Sequence, residues 1–143
     1  MDTQRLKPIQ RIAEDRENDL ARELATRRQT LDSQEQRLDE LRRYAAEYSI
    51  LPSGGSINAT LLANRRAFVE KLDGAVTQQV QHVEKARATF EVERARLLLA
   101  SREVAVLERL AASYQARERK VDERREQRDL DEHALRTQQR SRP

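Results

Sequence analysis

Apolar residues recur at every seventh position through the second half of this chain, although 37% of its residues are charged. A period of seven is typical of a long α-helix with one buried stripe, and such a stripe needs a partner helix. A second column, three residues further along, is interrupted by Gln79 and Glu93. The first column comprises Leu62, Val69, Val76, Val83, Phe90, Leu97, Val104 and Ala111, and the second comprises Leu72, Gln79, Ala86, Glu93, Ala100, Leu107, Tyr114 and Val121.

The first half of the chain carries a matching but weaker stripe. Toward the N-terminus, Leu6, Ile9 and Ile12 follow a different spacing, so we expect the phase of the stripe to shift there. The heptad a positions are Leu24, Leu31, Leu38 and Ala45, and the d positions are Leu20, Arg27, Gln34, Leu41 and Tyr48.

A cluster of helix breakers, Leu51-Pro52-Ser53-Gly54-Gly55-Ser56, separates the two stripes. Proline removes a backbone donor, and the Gly pair permits positive φ angles. The pattern predicts a helix over about 3–50, a turn over about 51–57 and a helix over about 58–138, with Ser56 or Asn58 as N-cap. Two amphipathic helices joined by a short turn fold back on each other. The predicted fold is all-α, a single antiparallel two-helix coiled-coil hairpin with a longer second helix.

The two predicted helices differ in length. If the chain folds about residue 56, Leu6 lies beside residue 106, and positions beyond about Leu110 have no partner from the first helix. This C-terminal overhang still carries apolar residues, among them Tyr114, Val121 and Leu130. An unpaired amphipathic helix end frays or docks onto another molecule.

The amino-acid composition mainly excludes certain kinds of site and segment. Cysteine is absent, so neither a disulfide scaffold nor a thiolate metal site is expected. No apolar run approaches the roughly 18 residues that span a bilayer, and Met1 to Lys7 lack the apolar core of a signal peptide. We therefore expect a soluble protein of a reducing, intracellular compartment.

Groups suited to catalysis are sparse. His82 and His133 are far apart in the sequence, and Gly54-Gly55 lacks the Lys and Ser/Thr that complete a phosphate-binding loop. We expect no enzyme activity, no cofactor, no metal and no small-molecule substrate. Charges of both signs are interspersed, which argues against a nucleic-acid partner. Two rival functions stay open, an Arg-rich nucleic-acid or membrane-surface binder using residues 117–142, and a homodimeric coiled-coil spacer.

Aromatic side chains flank the seam beside the predicted turn. Tyr44, Phe68 and Ala75 all fall at heptad g positions, and g faces g across one edge of an antiparallel coiled coil. Tyr44 and Phe68 are equidistant from residue 56, so we expect them to lie level with each other. Half-exposed aromatics together on one edge indicate an interaction surface. The alternative is that they only widen the seam and cap the turn.

These segments resemble the FliJ family of flagellar type III export proteins. The resemblance rests on Leu41-Arg42-Arg43-Tyr44-Ala45-Ala46-Glu47-Tyr48, on the Gly-Ser turn, and on Asn64-Arg65-Arg66-Ala67-Phe68-Val69-Glu70-Lys71-Leu72. A charged C-terminal segment, Arg124 to Arg136 with Leu130-Asp131-Glu132, is similar to the family's ending. The stalk proteins of virulence-type III secretion systems have similar helices and remain an alternative.

The resemblance implies a cytoplasmic adaptor, peripherally associated with the membrane export apparatus. Its implied partners are the hexameric export ATPase, the cytoplasmic domain of the export-gate protein FlhA, and export chaperones. The ATPase-binding positions implied in the overhang are Tyr114, Val121, Leu130, Asp131 and Glu132. Arg37 and Gln79 depart from the family pattern, where an amide residue and a histidine occur. The implied gate-binding surface, called the turn-proximal flank below, comprises Arg37, Leu41, Tyr44, Tyr48, Phe68, Leu72, Ala75 and Gln79.

Overall fold

The computed structural model describes residues 3–50 and 58–142. It contains two α-helices, α1 (Thr3–Ser49, 47 residues) and α2 (Ala59–Arg140, 82 residues), and no strand over these ranges. The predicted fold class is confirmed, because the chain is all-α with two helices packed against each other and the second is longer. The predicted turn over 51–57, including the N-cap candidate Ser56, lies outside the described residues.

Asn58 caps the start of α2. Its Oδ1 accepts a hydrogen bond from the Thr60 backbone N–H at 2.7 Å, and its carbonyl oxygen accepts one from the Leu62 N–H at 3.1 Å. An N-cap side chain satisfies one of the first backbone donors, which have no partner within the helix. Asn58 therefore fills the capping role predicted for it.

The packing divides the chain into two compact units, unit 1 (Met1–Glu17 with Leu99–Pro143) and unit 2 (Asn18–Leu98). In unit 2 the helices run antiparallel, because Tyr48 of α1 contacts Phe68 of α2, while Arg28, earlier in α1, lies over Phe90, later in α2. The core of unit 2 is the predicted seam. It comprises buried Leu31, Leu38 and Val83, with Val76, Val80, Ala86 and Phe90 packed against them.

In unit 1 the heptad phase of α1 does not shift, contrary to the prediction. Leu6 is buried, whereas Ile9 and Ile12 are 52% and 69% exposed. Leu6 lies two heptads before Leu20 and thus extends the d column, so its burial follows from the same register. The half-buried residues of α1 in unit 1 also fall at the a and d positions of this register. They are Thr3, Gln10, Ala13 and Glu17.

Also in unit 1, the paired part of α2 extends beyond Leu110, and the predicted start of the overhang is wrong. Ala111 is buried, Tyr114 and Glu118 are half-buried, and the Thr3 backbone N–H donates to Glu118 Oε1 at 2.9 Å. The midpoint between Thr3 and Glu118 lies near residue 60 rather than at 56. Because the centre of pairing lies later in the sequence than assumed, each residue of α1 in this unit lies beside a later residue of α2.

Every residue of α2 beyond Glu118 is exposed. We call residues 119–140 the terminal arm. Its apolar side chains, Val121, Leu130 and Leu135, are all open to solvent. Neither helix, over its described residues, contains a stretch long and apolar enough to cross a membrane.

Candidate partner-binding site

The candidate site in unit 2 begins at the last turn of α1, whose final backbone carbonyls have no partner within the helix. Ser49 Oγ donates to the Ala46 carbonyl oxygen at 2.8 Å. Arg65 of α2 supplies the other donors, with Nε at 3.2 Å from the Tyr48 carbonyl oxygen and Nη2 bonded to the Ile50 carbonyl oxygen. The end of α1 is therefore capped by a side chain from α2.

Tyr48 and Phe68 form an aromatic pair beside this cap. Their ring centroids are 4.8 Å apart and their planes meet at 68°, an edge-to-face arrangement. Aromatic pairs prefer this geometry because the positive ring edge of one meets the negative face of the other. Both rings remain accessible, with Tyr48 42% and Phe68 44% exposed, and Tyr44 is 55% exposed. Three accessible aromatic rings thus lie on the predicted turn-proximal flank.

The prediction that Tyr44 lies level with Phe68 is wrong. The ring against Phe68 is that of Tyr48, four residues and about one helical turn later in α1. The midpoint between Tyr48 and Phe68 is residue 58, two residues beyond the assumed centre. Because the helices are antiparallel, that shift displaces the residue level with Phe68 by four positions.

The remaining residues of the turn-proximal flank differ in accessibility. Leu41, Leu72 and Ala75 are half-buried along the seam, and Arg37 is exposed. Gln79 is only 7% exposed, and its Nε2 donates to Gln34 Oε1 at 2.7 Å and to the Gln34 carbonyl oxygen at 2.9 Å. The structure thus assembles an accessible aromatic centre and places Gln79 inside the seam.

The predicted ATPase-binding residues all belong to unit 1. Tyr114 is half-buried within the paired part of α2, not in an overhang. Val121, Leu130, Asp131 and Glu132 are exposed in the terminal arm, which presents apolar and acidic side chains to solvent. Tyr114 therefore differs from the four other residues, because it is half-buried and they are exposed.

The two histidines, His82 and His133, are both exposed. Among the described residues, no three His, Asp or Glu side chains lie close enough together to hold a metal ion. What the candidate site offers is an accessible aromatic surface on capped helices, which is suited to binding another protein because aromatic residues are enriched at such interfaces.

The role of Arg65 was not predicted from the sequence. Two signals point to it, the occurrence of a charged residue at a d position and the lack of any basic residue in the last turn of α1. A helix C-terminus carries partial negative charge and favours a nearby cation. Because the last turn of α1 contains no basic residue, Arg65 of α2 supplies the cation.

Two helices that pack through a heptad seam define a coiled-coil protein, and this one carries accessible aromatic residues beside the seam. A family model described as "Flagellar FliJ protein" matches residues 1–143. The chain therefore belongs to the FliJ family and is a coiled-coil protein of flagellar type III export, in a family whose members are non-catalytic components of the export apparatus. Searches of curated proteins and of solved structures gave no match.

Proposed function

We propose that this chain is a non-enzymatic adaptor that links the export ATPase ring to the export gate and escorts export chaperones. It acts in the cytoplasm, in peripheral association with the membrane export apparatus. Family membership supports the flagellar setting over a virulence secretion system. The observation that carries the gate-binding assignment is the accessible group of Tyr44, Tyr48 and Phe68 in unit 2.

The centre of the gate-binding surface is Tyr44, Tyr48, Phe68 and Leu72. Burying accessible aromatic rings removes apolar area from water, and aromatic anchors commonly carry much of the energy of an interface. Phe68 and Tyr48 already contact each other, so little ordering of their side chains remains to oppose binding. Gln79 is buried against Gln34 and contributes to this surface only through the packing of the seam.

The terminal arm, with Tyr114 in the paired part of α2, is the proposed ATPase-binding element. A helix without tertiary packing is marginal in water, because most helical stability in proteins comes from a buried face. Val121 and Leu130 are apolar and exposed, and Asp131 and Glu132 add negative charge beside Leu130. Insertion into a protein ring would bury these apolar side chains and give the arm the packing that it lacks.

The rival function as an Arg-rich nucleic-acid binder is not favoured by the terminal arm. Counterion release requires basic side chains concentrated on a phosphate backbone. In the arm the basic residues alternate with acidic ones, and all of them are exposed. The acidic residues are Asp122, Glu123, Glu126, Asp129, Asp131 and Glu132.

Calorimetric titration of the full chain with the purified cytoplasmic domain of the export gate tests the proposal. Changing Phe68 to Ala is expected to weaken binding by about tenfold or more, the range of an interface anchor. Val92→Ala is the matched control, because Val92 is also an exposed apolar residue of unit 2 but lies outside the flank. Unchanged affinity in the Phe68 variant would refute the gate-binding assignment.

A Tyr44→Ala/Phe68→Ala double variant separates binding from folding. We expect it to lose gate affinity while retaining its helical circular dichroism and its stimulation of the export ATPase. If gate affinity, ATPase stimulation and melting temperature all fell together, the aromatic residues would be structural rather than partner-binding.

A further inference from the structure

Arg65 connects the backbone at the end of α1 to the aromatic surface. Its Nε lies 3.2 Å from the carbonyl oxygen of Tyr48, and its Nη2 donates to the carbonyl oxygen of Ile50. The guanidinium fork therefore holds two carbonyl oxygens that lie two residues apart at the helix terminus. A lysine ammonium has no planar fork of this kind.

The position of Arg65 in α2 places it one helical turn before Phe68. Residues three apart lie on the same face of a helix. Tyr48 therefore meets α2 at two neighbouring points, its carbonyl oxygen at Arg65 and its ring at Phe68, 4.8 Å between centroids. Without the first contact, the last turn of α1 would keep unsatisfied carbonyl groups and would tend to fray.

We propose that Arg65 is a positioning residue of the turn-proximal flank, fixing the last turn of α1 so that the Tyr48 ring stays edge-to-face on Phe68. The partner-binding part of this inference rests on the proposed gate-binding function. Arg65 acts through Tyr48, by keeping the aromatic surface assembled before a partner arrives. Preorganisation of this kind raises affinity because the side-chain ordering has already taken place.

The geometry of the ring pair can be followed by NMR in the full chain without any partner. The sequence contains 3 Tyr and 2 Phe, so selective labelling of these residues leaves few ring signals to assign. In Arg65→Met, which keeps an unbranched apolar side chain but loses the fork, we expect weaker cross-relaxation between the Tyr48 and Phe68 rings. Arg65→Lys should fall between this variant and the wild type. Arg66→Met, which removes the same charge one position later, should leave the ring pair unchanged.

Binding to the gate domain supplies a second readout. Arg65→Met is expected to weaken it by about three- to tenfold, the effect of ordering one further side chain on association. In a Phe68→Ala background, Arg65→Met should weaken binding no further, because the Tyr48 ring that Arg65 positions no longer has the Phe68 ring to pack against. Additive losses, or an unaltered ring pair in Arg65→Met, would overturn the proposal.

Failure of the two proposals can be told apart. If Phe68→Ala leaves gate affinity unchanged, the proposed function fails, and the NMR comparison of the Arg65 and Arg66 variants still decides whether Arg65 holds Tyr48. If Phe68→Ala weakens binding while Arg65→Met alters neither the rings nor the affinity, the positioning role of Arg65 fails and the gate-binding surface stands.

Discussion

The core of unit 2 and the terminal arm of unit 1 are both α-helical and both rich in charge, yet only one of them is packed. In the core, the a positions of α2 are Val76, Val83 and Phe90, which lie against the leucines of α1. In the arm, the a positions continue as Arg125, Glu132 and Gln139, and every residue is exposed. The comparison shows that helical structure in α2 does not require packing against α1: the pairing ends where α1 begins, at Thr3 beside Glu118, and beyond that point the a positions become polar.

Truncating a buried side chain of the seam should give the largest change in the free energy of unfolding. Changing Leu38 to Ala is expected to lower the free energy of unfolding by about 2–3 kcal/mol, because it removes buried methyl groups and leaves a cavity. Leu38 is 8% exposed and belongs to the core of unit 2. Chemical denaturation followed by circular dichroism measures the change.

The matched variant in the terminal arm is Leu130→Ala. Leu130 is exposed, so we expect its loss to change the free energy of unfolding by less than about 0.5 kcal/mol. Equal destabilisation by the two leucine variants would show that the arm is packed in solution, and the contrast between the two regions would be lost.

Removing the polar contact between Gln79 and Gln34 within the seam should give the next largest change in the free energy of unfolding. Changing Gln79 to Ala removes the donor of two hydrogen bonds to Gln34 and is expected to lower the free energy of unfolding by about 1–2 kcal/mol, because the half-buried acceptors of Gln34 lose this donor. The control is the neighbouring exposed residue, as Gln78→Ala, which should be near neutral. A neutral Gln79 variant would mean that water replaces the lost bonds.

Much of this seam was predictable from the sequence, because burial in a coiled coil repeats with the heptad and the residue types repeat with it. Leu31, Leu38, Val83 and Ala111 are buried at the a positions predicted for them. Asn58 was a predicted cap for an equally local reason, since a cap bonds its own helix. Periodicity and capping are properties of one segment of chain, and the sequence carries them directly.

The pairing between the helices was less predictable. The contact of Phe68 with Tyr48 instead of Tyr44 depends on how many residues the connection between the helices consumes, which the heptad pattern does not specify. In unit 1 the centre between Thr3 and Glu118 lies about four residues beyond the assumed one, so the pairing extends about eight positions further along α2 than predicted, to Glu118 instead of Leu110. The role of Arg65 was harder to predict because its acceptors are backbone carbonyls of the other helix, and the residue types indicate only that the end of α1 has no cation of its own, not which residue of α2 supplies it.

A gain of stability is expected in the paired part of α2 at Gly74. A Cβ built on Gly74 meets no atom within 4 Å, so alanine fits without strain. Glycine costs a helix about 0.5–1 kcal/mol relative to alanine, because its unfolded backbone has more freedom to lose. Gly74→Ala should raise the unfolding free energy by about that amount, and Ala95→Gly at another exposed position should lower it similarly. No gain at Gly74 would indicate that α2 frays there before it unfolds.

The smallest change in unfolding free energy is expected from removing most of the terminal arm. Deleting residues 121–143 keeps Glu118 and its hydrogen bond to Thr3, and it removes only exposed side chains within the described part of the segment. The denaturation midpoint should therefore shift by an amount equivalent to less than about 0.5 kcal/mol. The helical signal before denaturation should lose the contribution of the arm if the arm is helical without a partner. Loss of ATPase stimulation with an unchanged midpoint would tie the arm to binding, whereas a large fall in the midpoint would show that the seam extends past Glu118.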